Sequence, residues 1–442
     1  MQLTTRRPPH AIRRRSALHT AAKAFAVCVA ILTGASEARA SDPAVPDQTH
    51  TVRPERPDAK ASPIEEPTLE DTTTKRAGFE FGAYQDTDNV KVITPSINVS
   101  VENVSGGSLS ASYLVDVVSA ASIDIVSSAS TRAGWGEVRH AGAVSGQYKP
   151  HDFGVSVGGS VSSEPDYVSY GGYAMIVKEF DDKNWTLTLG YGYSHDTAGR
   201  CGIGGACTPF DVFSRPLERG AFNGGLAWVV NRDTLASVTF DLIIENGDQS
   251  KPYRYIAMFS PTVAPTVKPG ASIDFVNANR LPEKPLEALP VTRDRLAVTG
   301  GIAHRFDGST LRVDERIYDD SWGLKASSTD VKWLIDLGEH FLVWPHVRFH
   351  VQTQTDFWQL AYVSQPAPAF TLPRYRTGDR ELGPLWTIDG GFGFRWRLAH
   401  EPDAPAWRIG LTADVMYTSF LDDLYLSNRT AYLGALQLET EW

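Results

Sequence analysis

His346, Arg348 and His350 occupy alternate positions of one stretch, facing away from Phe341, Val343, Val347, Phe349 and Val351. The pattern recurs twice. Asp389, Arg395 and Arg397 oppose Gly390, Phe392, Phe394, Trp396 and Leu398. Arg408 and Asp414 oppose Trp407, Ile409, Leu411, Ala413, Val415 and Tyr417. On adjacent strands of one wall, imidazole and guanidinium groups can do electrostatic chemistry, because a basic lining favours anionic solutes. Asp389 and Asp414 stand among these cations, so the same set also reads as a neutralised network that holds the wall in shape. Glu137 and Arg139 share a face at i, i+2, where opposite charges can pair along or across a wall. These ten residues are the candidate lining of a pore.

Bond-making chemistry is not signalled. The chain has no phosphate-cradling Gly-rich loop before a helix, no HExxH and no nucleophile elbow. Asp86-Thr87-Asp88-Asn89 resembles part of a calcium loop but lacks the full ligand set with its terminal Glu, so a hairpin turn is expected. An outer-membrane lipid hydrolase would place Ser and His near the lipid edge, whereas His346 and His350 face inward by parity. No catalytic residue, enzyme activity or cofactor is expected. Cys201 and Cys207 flank Gly-Ile-Gly-Gly-Ala; in an exported chain they read as a small disulfide loop, while two thiols without further His or Cys make a poor zinc set.

What must position these residues is a set of strands with a period of two. Trp185, Leu187, Leu189, Tyr191 and Tyr193 oppose Thr186, Thr188, Gly190, Gly192, Ser194 and Asp196. In the last stretch Tyr432, Gly434, Leu436, Leu438, Thr440 and Trp442 oppose Leu433, Ala435, Gln437, Glu439 and Glu441. One face suits lipid and the other a watery lumen, as a transmembrane antiparallel β-barrel requires. Tyr432, Leu436, Leu438 and Trp442 also resemble the C-terminal signature that outer-membrane barrel assembly machinery reads. No run of about 18 apolar residues marks a membrane helix. Mean hydropathy is −0.23, because each strand gives only half its residues to lipid.

Period alone does not separate lipid outside from a soluble core inside; the connections do. Short polar turns at Asn103–Gly106, Lys149–Asp152, Asp181–Asn184, Asn231–Asp233, Asp307–Ser309, Gly338–His340 and His400–Pro405 alternate mostly with long connections. The long ones run from Asp116 to Gly134, His195 to Leu217, Asn246 to Val291, Ser364 to Gly383 and Leu421 to Arg429. Short periplasmic turns and long extracellular loops are the asymmetry of an outer-membrane barrel. The count is about 16 strands, within a range of roughly 14–18, with both termini on the short-turn side. The Asn246–Val291 connection is too long for a plain loop; it either folds into the lumen or extends strands above the membrane.

Arg13-Arg14-Arg15, an apolar Ala21–Gly34 interrupted by Lys23, and Ala38-Arg39-Ala40 read as a secretory signal peptide over residues 1–40. Its removal leaves 35 basic against 51 acidic residues, a formal charge of −16 that opposes a nucleic-acid partner. Residues 41–76 hold six prolines and almost no aromatics, and read as a disordered periplasmic tail able to touch a periplasmic partner or the cell wall. The barrel is expected over 77–442.

Asp88–Pro95, Tyr113–Ser122, Glu137–His140, Ser163–Tyr167 and Tyr193–Asp196 resemble an outer-membrane barrel family, the domain-of-unknown-function class thirty-five-seventy. The resemblance is read over roughly residues 78–200, with the C-terminal half matching in strand pattern alone. It implies fold and location in the outer membrane of a Gram-negative cell, and no catalytic residues. The expected function is a porin-like channel for small polar solutes, since about 16–18 strands leave an aqueous channel. Two rivals remain: a dedicated export barrel, for example for a polysaccharide, and a plugged barrel whose surface loops act in adhesion or structure.

Overall fold

The computed structural model describes residues 73–118, 137–164, 167–200, 213–251, 254–398 and 404–442. Alternating β-branched or aromatic residues with small polar ones drive long strands, because each face then meets a uniform environment. In chain order these are β1 (Thr73–Asp86), β2 (Lys91–Asn103), β3 (Gly107–Val118), β4 (Glu137–Tyr148), β5 (Phe153–Glu164), β6 (Tyr167–Phe180), β7 (Trp185–Arg200), β8 (Phe213–Asn231) and β9 (Thr234–Gly247). Then follow β10 (Met258–Phe259), β11 (Thr292–Phe306), β12 (Ser309–Asp320), β13 (Lys325–Leu337), β14 (Phe341–Gln352), β15 (Tyr362–Val363), β16 (Leu385–Arg397), β17 (Ala406–Phe420) and β18 (Asn428–Glu441). All but β10 and β15 pair with their neighbours into one closed antiparallel barrel of 16 strands.

Closure is made by β1 against β18, from Arg76↔Glu441 to Asp86↔Ala431. Lys75 and Trp442 extend it by exchanging backbone hydrogen bonds of 2.8 and 3.0 Å. With no free edge, the wall leaves no row of peptide groups unpaired in lipid. The barrel starts at Thr73, four residues ahead of the expected boundary.

The two faces sort as the sequence pattern requires. Phe79, Phe81, Ile97, Leu189, Phe392 and Leu436 are exposed, while their sequence neighbours turn inward. Aromatics gather outside at the short-turn end: Trp185 stacks on Trp228 and Phe341 on Trp396, each with centroids 5.8 Å apart, and Trp442 is 52% exposed. Such rings suit the lipid–water boundary. One acid faces outward near the middle of its strand: Glu315, whose two oxygens accept from Ser327 Oγ and Thr329 Oγ1, both at 2.5 Å. Those hydroxyls replace the water that lipid cannot supply.

The short turns expected from sequence at 103–106, 149–152, 181–184, 231–233, 307–309 and 338–340 fall at the end that holds both β1's start and β18's end, while most of the turn expected at 400–405 lies outside the described residues. At the other end the long connections differ from expectation in two places. β7 runs on to Arg200 and β8 begins at Phe213, so His195 and Leu217 are wall residues. The loop expected from Ser364 instead begins at Thr353, directly after β14. Polar, Gly-rich strand ends look like loop, which cuts β7 and β8 short in sequence, whereas the apolar Phe357, Trp358, Leu360, Tyr362 and Val363 look like strand and carry β14 too far.

If the outward face meets lipid, Phe392→Arg should cost roughly 2–4 kcal/mol of folding free energy, the price typical of Arg near the midplane. Thr412→Arg, on the lumen face, should cost less than half as much. Urea titration in lipid vesicles reads both, and equal losses would mean that the faces are misassigned.

Candidate functional site

The lumen and its mouth hold the polar groups of this barrel. At the long-loop end, residues 248–291 and 353–384 fold together. The short strands β10 and β15 pair in parallel, Met258↔Tyr362 and Phe259↔Val363, and Ala288 bridges Arg376. A short helix, α1 (Ile273–Asn279), starts at Ser272, whose Oγ accepts from Phe275 N at 3.2 Å. Phe259, Val267 and Val276 form a buried cluster that packs on Leu424 and Tyr425 of the β17–β18 loop. Leu289, Trp358 and Leu382 pack with Trp322 and Leu324 of the β12–β13 turn. The Asn246–Val291 segment thus folds inward over the mouth rather than extending β9 and β11 upward.

Polar contacts fasten this loop pair to the wall. Arg380 pairs with Asp88 of the β1–β2 turn at 2.7 Å, and its guanidinium lies 5.3 Å from the Phe420 ring centre. Gln352, inward on β14, donates to the carbonyls of Glu381 and Gly383 at 2.9 and 2.8 Å. Arg429 of β18 meets Glu381 at 3.2 Å. Within the loops, Arg254 bridges Asp379 at 2.6 Å and Glu287 at 3.4 Å, and Thr377 Oγ1 donates to Glu287 at 2.6 Å. Burial raises Glu287 from its ordinary range. Burial also pushes Asp379 up, but Arg254 and Lys251 outweigh it and hold the carboxyl at about 2. Asp86-Thr87-Asp88-Asn89 is a hairpin turn: Asp86 Oδ1 accepts from Asp88 N and Val90 N at 3.0 and 2.9 Å, and Asn89 takes the left-handed conformation at φ 63°.

Beneath the loops runs a buried ionic arc. Arg219 of β8 lies between Asp196 of β7 and Glu245 of β9, with Nε 3.0 Å from Glu245; Arg295 of β11 reaches the other Glu245 oxygen at 2.7 Å. Arg293 bonds Asp320 at 2.9 Å through Nε and lies 4.2 Å from the Trp322 ring centre. Asp196 and Glu245 are 0% and 1% exposed, a depth at which a carboxylate requires a cation.

The residues read from sequence lie lower on the wall or at its edge. Arg139 pairs across the sheet with Asp116 at 2.6 Å; Glu137 lies on the same strand, but its side chain is outside the described residues. In mid-barrel His346 Nε2 meets Asp414 Oδ1 at 2.5 Å, and Arg348 Nε donates to Asp330 at 2.9 Å. Asp389 stands beside them on β16. His350 Nδ1 is 2.7 Å from Ser328 Oγ. Toward the short-turn end the Arg395 guanidinium lies 5.6 Å from the Trp344 ring centre. Arg408 shares Glu441 with Arg76, at 3.2 and 3.0 Å. Arg397, the last residue of β16, is exposed. Cys201 and Cys207 lie outside the described residues. The cations at 139, 348 and 408 therefore carry acids beside them, and Asp330 and Glu441 are partners that the candidate set lacked.

The buried arc and the loop residues Arg254, Glu287, Asp379 and Arg380 were also missed. Strand parity carried a signal for Asp196, Arg219 and Glu245, since each shares a face with small or polar residues. The loop residues had no such signal, because their neighbours are distant in sequence.

Fold and lining together define a transmembrane β-barrel of the outer-membrane type with a folded mouth. Residues 218–414 match the family described as Protein of unknown function (DUF3570). The expected family is thus found, but over the part of the chain where only strand pattern was read as similar, not over 78–200. No curated protein matches the chain. Among solved structures, the siderophore receptor PirA from Pseudomonas aeruginosa aligns at 13% identity and TM-score 0.39, over 82% of this chain and 63% of that one. This chain thus spans under two thirds of that receptor. OprD of Pseudomonas aeruginosa aligns at 7% identity and TM-score 0.40, over 84% and 97% of the two chains. A bacterial polysaccharide outer membrane secretin aligns at 7% and 0.43, over 85% and 99%. Identities and scores this low say nothing about substrate or partner.

Two outcomes test the mouth. Glu245→Ala removes the carboxylate that Arg219 and Arg295 share, leaving Arg219 paired with Asp196, and should cost about 3–5 kcal/mol, the usual loss when a buried pair is broken; urea unfolding measures it. Asp379 is held below its ordinary 3.8, so its contribution is present above that pH and lost as pH falls toward 2. Pepsin should therefore cut the 353–384 loop increasingly from about pH 4 to 2. Asp379→Asn protein should be cut throughout that range; an unchanged profile would remove Asp379 from the fastening.

Proposed function

We propose that this protein is a porin-like channel for small polar solutes in the outer membrane, with the paired loops 248–291 and 353–384 acting as a plug or gate at its extracellular mouth. The observation that carries this reading is the contrast between the two levels of the lumen. The mouth is occupied by a folded, buried loop pair. The wall below carries polar and charged side chains, many only partly buried, at a strand number that leaves room for water. Export through a cleaved signal peptide at 1–40, insertion by the barrel assembly machinery through β18, and a periplasmic contact by the 41–76 tail belong to the same proposal.

The loop pair also favours a second reading, a plugged barrel that acts through its surface. Single-channel conductance of the refolded mature protein in a planar bilayer separates the two. The expected result is small or intermittent conductance from the intact chain and a larger, steady one after residues 249–290 are replaced by a short Gly/Ser linker. Silence from both, with folding shown by heat-modifiable migration, would overturn the channel and leave the structural barrel. Because Arg348 and Arg408 have acids beside them, selectivity should be weak. Replacing Arg348, Arg395 and Arg397 together should lower anion preference, and an unchanged reversal potential would remove these residues from selectivity.

A further inference from the structure

On the lumen face of β16, Gly391 sits in register between His346 of β14 and Asp414 of β17. With no side chain at Gly391, imidazole and carboxylate reach across the strand and meet at 2.5 Å. A Cβ at 391 would collide with both groups. Asp389 stands two residues away on the same face, opposite Arg348 in register. Arg348 turns instead to β13 and bonds Asp330 at 2.9 Å. Asp389 Oδ1 is left buried without a hydrogen-bond donor. One ligand atom from each of His346, Asp389 and Asp414 lies within 4.8 Å of the other two.

We propose that His346, Asp389 and Asp414 form a binding site for a divalent transition-metal ion on the lumen wall. One imidazole and two carboxylates are a donor set for Zn²⁺ and neighbouring first-row ions. Calcium wants six to eight oxygens, more than this cluster offers. Bonds of about 2.0–2.2 Å to one ion bring donors to roughly 3–3.5 Å from one another. Small side-chain rotations achieve that, with the His346–Asp414 hydrogen bond exchanged for two metal bonds. Three protein ligands leave a further position open to lumen water. Two carboxylates with a neutral imidazole match the charge of a divalent ion.

The other charged groups around the cluster decide the competition. Arg348 is neutralised by Asp330. Lys332 of β13 lies opposite His346 in register and is the cation that competes with a metal. The site is independent of whether the lumen conducts, because binding is read on the refolded barrel itself.

The experiment is Zn²⁺ titration calorimetry on tag-free, refolded mature protein carrying Cys201→Ser and Cys207→Ser, so that loop thiols contribute nothing. Visible absorption of the Co²⁺ form gives a second readout. One ion per chain is expected. His346→Gln and Asp389→Asn should each weaken binding by at least about tenfold, since even lost outer-shell partners cost 10–100-fold. Asp389→Asn leaves the His346–Asp414 hydrogen bond in place, so lost affinity with unchanged heat-modifiable migration separates ligation from folding. Lys332→Gln should tighten binding. A folded barrel that takes up no stoichiometric Zn²⁺, or uptake indifferent to both H346Q and D389N, would overturn the site and leave a structural hydrogen-bond cluster.

Discussion

Backbone hydrogen bonding is the constraint on which this molecule depends. In the hydrocarbon layer a peptide group without a partner costs several kcal/mol, and no water is present to supply one. A sheet meets that demand only by returning to its own first edge. Here the return is made by the register Arg76↔Glu441 through Asp86↔Ala431, which joins the two ends of the chain's wall. Strand number, face alternation and the placement of turns all follow from this closure. An even number of antiparallel strands puts β1's start and β18's end on one side. The period of two then sends every other side chain outward along the whole circumference.

Closure makes a second problem at the mouth. Arg219, Glu245, Arg295 and Asp196 would be wet if the lumen were open above them, and exposed ion pairs are worth little. Under the loop pair they are nearly dry, so their mutual geometry matters far more. The coupling runs both ways. The loops bring their own buried groups, Arg254 with Glu287 and Asp379, and need fixed wall residues such as Gln352 and Asp88 to dock on. Apolar contacts of Phe259 and Trp358 supply the attraction, and the ionic groups set the seat.

Much of the wall was legible in the sequence, because lipid imposes a rule that each strand obeys alone. His346, Arg348 and His350 could be assigned to the inner face from their neighbours Val347, Phe349 and Val351, and the short turns from their Asn, Asp and Gly residues. What was illegible depends on partners remote in sequence. Nothing near Arg380 indicates that it meets Asp88, and nothing near Met258 indicates pairing with Tyr362. Even on the wall, parity gave the face but not the partner. Arg348 is in register with Asp389, yet it bonds Asp330 on the other neighbouring strand.

That choice of partner belongs to a wider habit of the lumen wall. Gly393 leaves space for the Trp344 indole, Gly391 for His346 and Asp414, Gly301 for Asp314, and Gly78 for Asn98. In each case an inward glycine lies beside a larger inward side chain on a neighbouring strand, and a Cβ there would strike it. A narrow barrel has no use for this, since its inward side chains meet at the axis and fill the interior. In a barrel of 16 strands, side chains cannot reach the far wall and must find partners along their own. Laid flat over glycine, they satisfy one another in a single layer: Trp344 takes Arg395, His346 takes Asp414 and Arg348 takes Asp330. Such a layer lines a space rather than filling it, and its free polar edges face whatever that space contains. The glycines therefore act as part of the lining as much as the charged residues do, by deciding which of those residues can meet.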